Sequence, residues 1–319
     1  MLKRLMINCL FCLFMTSSFK SQTPLIQEPV HINTEIAFAS DTQAPLWMEE
    51  IFSKTNNNKT ATKMIFKDII DRHPLSLFLL GDVVSLGSSN RAWRNMDTYL
   101  NKCHDMCIPV YSALGNHEVM GTRKMGKKGQ KKFQLHFPEH SHTGFVTIID
   151  SVAVILLNSN FSTLTKTQDE AQVDWYKNTL IKLDRDSAVE YIITGCHHSP
   201  YSNSKIVGSS KAVQQKFVMP FMRSKKSMLF LSGHSHAFEH FKKNGKDFLV
   251  IGGGGGLHQP LDTGPGGLKD LSPEYKPMFH YLTARRENGH LLITSYKLRD
   301  DFKGFMMGLI MNINHPDEE

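Results

Sequence analysis

Five times in this chain an apolar run of strand character stops at side chains able to hold a metal ion. Residues 108–114 end at Gly115-Asn116-His117-Glu118, residues 35–40 at Asp41-Thr42-Gln43, and residues 75–80 at Gly81-Asp82. Residues 189–196 end at His197-His198, and residues 227–232 at Gly233-His234-Ser235-His236. Short apolar runs rich in β-branched and aromatic residues read as buried strands. A Gly at the end of such a strand lets the chain turn sharply. One polar turn of this kind would mean little; what constrains the chain is the recurrence. In open α/β sheets, sites lie at the carboxyl ends of the strands. Tips brought side by side would gather Asp41, Gln43, Asp82, Asn116, His197, His234 and His236. This mixed set of carboxylates, amide oxygens and imidazoles suits two borderline divalent ions.

Between the tips the pattern is helical. A short helix is expected over residues 45–52 and a second one carrying Met64, Ile65, Ile69 and Ile70 at helical spacing. Another holds Trp93, Met96, Tyr99 and Leu100, and a further amphipathic one covers residues 168–183, with Val173, Tyr176, Leu180 and Leu183 on one face. Residues 209–222 read as helix interrupted at Pro220. The β-α-β order supports a layered α/β fold. Strands near 145–149 and 152–158 meet at Asp150-Ser151, and Asn244-Gly245 and Asn288-Gly289 read as hairpin turns. Residues 123–132 read as a basic, Gly-containing surface loop, and residues 257–277, with His258, as a long loop at the substrate rim. The five glycines at 252–256 lack the Lys-Ser/Thr of a phosphate-binding loop and read as close backbone packing.

The first 21 residues read as a secretory signal peptide: Lys3 and Arg4, then an apolar stretch over residues 5–15, then small residues at Ser17 and Ser18. The apolar stretch is shorter than the roughly 20 residues of a membrane span. A secreted or periplasmic protein, not stably inserted in a membrane, is therefore expected, with one domain over residues 22–319. Outside the leader only Cys103, Cys107 and Cys196 remain, which is no disulfide framework, although the first two stand close enough to bridge. The net charge of +7 favours phosphate-bearing ligands, but no basic stripe interleaved with aromatics points to nucleic acid. Asn58 and Asn160 open glycosylation sequons.

The order of motifs resembles the calcineurin-like metallophosphoesterase superfamily, with D-x-H/Q, GD, GNH[DE], a single or paired His, and GHxH in turn. The resemblance spans roughly residues 33–300, and the surroundings of His198, Gly233 and the glycine run resemble the branch related to purple acid phosphatases. It implies a four-layer α/β/β/α sandwich of two mixed sheets flanked by helices. It also implies a dinuclear centre of Fe, Mn or Zn, divalent or of mixed valence. Gln43 and His236 would hold the first metal, Asn116 and His234 the second, Asp82 would bridge them, and Asp41 and His197 would complete the ligand set. His117 would protonate the leaving group, Glu118 would hold the His117 ring, and His198 would face the substrate or brace a neighbour. The activity implied is hydrolysis of a small phosphorylated substrate, a monoester or a diester, by a metal-bridging hydroxide. A non-catalytic binding protein retaining the fold is the remaining alternative. Ser85 stands where purple acid phosphatases carry a Tyr, so their coloured iron–tyrosinate centre is not expected.

Overall fold

In the computed structural model, residues 34–46, 49, 57–141 and 143–314 are described. The expected leader, and most of the helix expected over residues 45–52, lie outside them. Among the described residues twelve strands form two six-stranded mixed sheets. The first runs β12-β11-β10-β1-β2-β3, where β1 is Ile36–Ala39, β2 Ser76–Leu79, β3 Val110–Ser112, β10 His280–Glu287, β11 His290–Leu298 and β12 Phe305–Ile313. The second runs β4-β5-β6-β7-β9-β8, where β4 is Phe145–Ile149, β5 Val152–Leu157, β6 Tyr191–Cys196, β7 Ser227–Ser232, β8 Phe238–Lys243 and β9 Lys246–Ile251. β1, β2 and β3 are parallel, as are β5, β6, β7 and β9, so the tips within each sheet point the same way.

The apolar runs explain the layering. Alternate residues of a strand face opposite sides of its sheet. Phe38, Phe78 and Leu80 of the first sheet meet Val154, Leu156, Ile193 and Leu231 of the second in a core between the sheets. Their neighbours Ala37, Ala39, Leu77 and Leu79 face outward onto helices. Strands buried on both faces need continuous rather than alternating hydrophobicity. Helices α1 (Asn58–Arg72), α2 (Asn90–Asp105) and α4 (Arg123–His136) cover the first sheet through Ile65, Phe66, Trp93, Met96 and Phe133. Helix α5 (Lys166–Arg185) and the segment α6 (Lys211–Val213) to α7 (Met219–Arg223) cover the second through Tyr176, Leu180, Phe217 and Phe221. A full four-layer sandwich results. Each such buried Leu or Phe contributes about 1.5–3 kcal/mol.

Three local expectations change. The segment at 123–132, expected as a loop, is the first part of helix α4. Thr122 caps its N-terminus, accepting a hydrogen bond from the Met125 N–H. Gly126 and Gly129 seat it against α3 (Asn116–Val119): a Cβ at Gly129 would stand 1.9 Å from the Glu118 carbonyl oxygen. Its outward face carries Arg123, Lys124, Lys127, Lys128, Lys131 and the half-buried Lys132. Spaced four apart, they make four like-charge pairs, each costing about 0.2–0.5 kcal/mol in an isolated helix. Near Pro220 the helix does not break; a π-helical turn at Gln214–Val218 precedes Pro220, which sits in the first turn of α7. Strand β12 was not foreseen, and it edges the first sheet with Met306, Met307 and Ile310 exposed.

The hairpin turns at Asp150-Ser151, Asn244-Gly245 and Asn288-Gly289 all have positive φ at both central residues, as two-residue hairpin turns require. Cys103, Cys107 and Cys196 are free thiols, so the bridge between the first two does not form. Both sequon asparagines are buried. Asn58 donates to the carbonyls of Gly255 and Gly256, and Asn160 to that of Leu114. Among the described residues no helix is long and apolar enough to cross a membrane.

Candidate metal centre

The tips of β1, β2, β3, β6 and β7 converge. Asp82, His197 and His234 present ligand atoms within 4.8 Å of one another, and so do Asp41, Asp82 and His236. Asp82 belongs to both groups. Asn116 joins the first, its Oδ1 2.9 Å from His197 Nε2. Gln43 joins the second. With its amide nitrogen donating to the carbonyls of Asp41 and Asp82, its oxygen lies 3.3 Å from His236 Nε2. All seven residues expected at the centre are thus brought together.

The backbone bends to allow this. Asp41, Asp82 and His234 have φ of 58°, 49° and 67°, a left-handed conformation that costs a residue with a Cβ. Such strain persists only where the surroundings over-determine it. Here they do: the Asp41 N–H donates to the Gly81 carbonyl and the Asp82 N–H to Glu118. The His234 N–H donates to the Asp41 carboxylate. The glycine run packs behind. A Cβ at Gly252 would meet the Ser235 carbonyl oxygen at 2.1 Å, and one at Gly256 the His236 ring at 2.5 Å.

Tautomers follow from the outer partners. A carbonyl oxygen only accepts, so the Nδ1 of His197, 3.0 Å from the Leu80 oxygen, carries the proton. The same holds for His236 against Leu257, at 2.6 Å. Their Nε2 atoms therefore turn lone pairs inward. His197 Nε2 meets Asp82 Oδ2 at 3.2 Å and His234 Nδ1 at 3.1 Å, and His236 Nε2 meets Asp41 Oδ1 at 3.3 Å. With the rings neutral these contacts set acceptor against acceptor, and a positive charge relieves them, either a metal ion held between the atoms or, without one, a proton on Nε2 shared with Asp82 or Asp41. The donor set thus fits metal ions, and the holding of each ring from behind is what metal-binding histidines use.

Charge is distributed to match. Burial pushes Asp82 upward, but the charge and hydrogen bond of His197 and the charge of His117 outweigh it, so the carboxyl lies well below its usual range. Burial would lower His197, yet Asp82 raises it to about 9. Burial lowers His236 too, and the Asp41 hydrogen bond and charge more than restore it. Burial and the neighbouring imidazoles push His234 down to about 2, and burial with His197 pushes His198 down to about 3. Those two rings are neutral.

One expected role changes. Glu118 does not touch the His117 ring. Fully buried, its carboxylate accepts from the backbone N–H groups of Asp82, Val84 and Gly115 at 3.0, 3.0 and 2.8 Å, tying the β2 tip to the β3 tip. Burial and the Asp82 charge push Glu118 up to about 7, against those donors. The His117 ring is held instead by the Ser85 carbonyl, 2.9 Å from Nδ1, which leaves Nε2 facing the centre 3.8 Å from Asp82 Oδ2. Tyr201 packs on Phe241 and Phe248 in the outer core. His240 is buried against Asp247.

A sixth tip was missed. Asn158-Ser159-Asn160 follows β5. Ser159 Oγ lies 2.8 Å from His198 Nδ1 and accepts the His198 N–H, and Asn160 ties the tip to Leu114, just ahead of Gly115. The signal was present, an apolar run ending in polar residues, but it read as a sequon. His258 is exposed on the loop beyond the glycine run, close enough to His236 for that ring to lower it after burial. A cavity of about 460 Å³ between α5 and α6–α7 shares no residue with this centre.

Among curated proteins, none gives a significant sequence match. Solved structures do match in fold. A purple acid phosphatase of yellow lupin (Lupinus luteus) superposes with TM-score 0.68 at 15% identity, over 89% of this chain and 54% of that one. The chain therefore spans about half the length of the lupin enzyme. GAP50, the anchor in the inner membrane complex of Plasmodium, gives TM-score 0.62 at 16% identity, covering 88% of each chain. A dimetal phosphatase from Danio rerio gives 0.55 at 12%, over 88% of this chain and 98% of that one. At such identities these likenesses speak to the fold alone. The family model for calcineurin-like phosphoesterases matches residues 34–238. With that match over most of its length, and its strand tips gathered as described, the chain belongs to the calcineurin-like phosphoesterase family.

Proposed function

We propose that this protein is a metal-dependent phosphoester hydrolase acting on phosphate monoesters. The observation that carries this reading is the pair of ligand groups sharing Asp82. His197, His234 and Asn116 with Asp82 would hold one ion, and Asp41, Gln43 and His236 with Asp82 the other. Bound there, two divalent ions would polarise phosphoryl oxygens and lower the pKa of water.

The chain's own residues supply the rest. The Leu80 and Leu257 carbonyls hold His197 and His236 with Nε2 inward. The Ser85 carbonyl fixes His117 with Nε2 toward the centre, placed to give a proton to a departing alkoxide. Glu118 acts one layer behind, holding the Asp82 and Gly115 turns in register. Ser159 braces His198 beside His234, whose ring centroid lies 4.5 Å away. The amide of Gln43 makes its site harder than an imidazole would, which favours an oxygen-loving ion there and keeps a phosphodiesterase as the second reading. Export through the leader of residues 1–21, giving a secreted or periplasmic domain over residues 22–319, belongs to the same proposal and is tested by N-terminal sequencing of exported protein.

The decisive experiment measures metal content and turnover together, on aryl monoester and diester substrates, for wild type, Asp82→Asn and His117→Ala. About two metals per chain with monoester turnover is expected. His117→Ala should lose about 10²–10⁴-fold in kcat with its metals kept. Metal-replete protein that turns over neither ester would favour a binding role, and GAP50, a similar fold, is described as an anchor.

A further inference from the structure

We infer that Ser159 is a positioning residue for the phosphoester reaction, setting the tautomer of His198. Its hydroxyl donates to His198 Nδ1, and the ring then turns an Nε2–H, not a lone pair, toward the mouth of the metal centre. There it donates to a phosphoryl oxygen of the substrate. This rests on the phosphoester reading above and gives the β5 tip a part in it. Ser159 is buried; its Oγ lies 2.8 Å from His198 Nδ1 and accepts the His198 backbone N–H at 3.0 Å. The direction of the ring bond follows from what the hydroxyl proton can reach. Among the described residues the other group beside the hydroxyl is the Cys196 sulfur. A thiol sulfur is a weak acceptor, and this one turns its own S–H to the His198 carbonyl at 3.3 Å. Were Nδ1 the donor, the Ser159 proton would be left to that sulfur, and a buried hydroxyl without a good acceptor is destabilising. An imidazole whose Nδ1 accepts carries its proton on Nε2.

Strand order sets where that Nε2 points. His198 follows β6, which lies between β5 and β7. Its Nδ1 is turned to the β5 tip, so Nε2, on the other side of the ring, faces the β7 tip, where the His234 ring centroid lies 4.5 Å away. The ring is half-buried and so open to a ligand at the mouth. Ser159 is itself fixed on both sides. Gln172 of α5 bonds both the N–H and the carbonyl of Asn158, and Asn160 donates to the Leu114 carbonyl ahead of the Gly115 turn. A donor preset in this way needs no reorganisation as charge develops on the phosphoryl oxygens. The hydrogen bond on one ring nitrogen decides what the other can do. His197 keeps its proton on Nδ1 against the Leu80 carbonyl and offers Nε2 to a metal, whereas His198 offers an N–H, which cannot ligate.

The test joins NMR of the histidine ring nitrogens, in metal-free and zinc-loaded protein at neutral pH, to kinetics on p-nitrophenyl phosphate. The variants are Ser159→Ala, Ser159→Thr, His198→Gln and His198→Asn. The His198 signal, identified by its loss in His198→Gln, should show the proton on Nε2 with or without zinc. Ser159→Ala should mix the two tautomers, and Ser159→Thr, which keeps the hydroxyl, should restore the first. Ser159→Ala should lose about tenfold in kcat with KM within about twofold. The Gln amide reaches the place of Nε2 and the Asn amide only that of Nδ1. His198→Gln should therefore stay within about tenfold of wild type, while His198→Asn falls about 10²-fold, as when one oxyanion donor is removed. A wild-type proton on Nδ1, equal losses in the two His198 variants, or a His198 signal that becomes metal-bound on adding zinc would each overturn the inference. Calorimetry of inorganic phosphate binding to zinc-loaded protein should show about a tenfold weakening in His198→Asn and little in His198→Gln. That split and the tautomer are read without turnover, so their appearance in a protein that hydrolyses neither ester would refute the hydrolytic reading and uphold the positioning by Ser159.

Discussion

Replacing Gly129 with Ala sets two effects against each other. In an unobstructed helix interior, Gly→Ala stabilises by about 1 kcal/mol. Here the new methyl would stand 1.9 Å from the Glu118 carbonyl oxygen and 3.1 Å from the Gly87 carbonyl carbon. Ordinary contact begins near 3.4 Å, so α4 and α3 must separate by roughly 1.5 Å. The obstruction is backbone on both sides, and neither can rotate away. Separation would also loosen Phe133 and Phe137, which are 0% and 2% exposed and anchor α4 under Trp93. Overpacking of this kind costs about 1–3 kcal/mol. With no flexible neighbour to give way, the upper end applies, and the net loss expected is about 1–2 kcal/mol after the propensity gain. Urea unfolding of metal-free protein, followed by circular dichroism, measures it. Gly126→Ala, whose methyl would meet the Val119 carbonyl at 2.6 Å, should show a smaller loss of the same sign. Because α3 carries His117, an ångström of displacement should also cost up to about 10²-fold in kcat/KM. A Gly129→Ala protein as stable as wild type, or more so, would refute the close seat of α4 on the turn.

Three further outcomes are expected. His280 is fully buried at the start of β10, and burial pushes it down to about 3 from 6.5. Between those values the unfolded chain takes up a proton that the folded one refuses, so stability present above pH 6.5 is lost as pH falls. By pH 4.5 the loss reaches about 3 kcal/mol. His280→Phe should show a flatter decline in unfolding midpoint over that range, and parallel curves for the two proteins would contradict it. Folded protein secreted from a glycosylating host should carry no glycan at Asn58 or Asn160, since both side chains donate to buried carbonyls. An intact glycopeptide from active material would show otherwise. Because Asp82 belongs to both ligand groups and Asp41 to one, Asp82→Asn should empty the centre of metal, whereas Asp41→Asn should keep one ion. Equal metal content in the two variants would remove Asp82 from its shared position.

The strand tips were legible because their signal is local. An apolar run buried on both faces of its sheet declares itself by composition, and a polar cluster at its end declares the site. So the layered α/β fold, the convergence of Asp41, Asp82, Asn116, His197, His234 and His236, and the hairpins at Asn244-Gly245 and Asn288-Gly289 could be read from residue order, while the four-layer sandwich was implied by the family resemblance. Helix α4 could not. Lysines and glycines are poor evidence for a helix until Glu118 and Val119 are seen pressed against the gaps the glycines leave. Glu118 was assigned to the ring next to it in sequence, but a buried carboxylate goes to whichever donors folding leaves unpaired, and those are the amides of Asp82, Val84 and Gly115. The orientation of His197 and His236 was equally hidden, since it depends on carbonyls of Leu80, 117 positions away, and of Leu257, 21 away. Residue type and spacing determined which groups could reach the centre. Only the packed structure decided which atom of each faces inward, because that choice is made by hydrogen bonds to backbone that sequence neighbours do not supply.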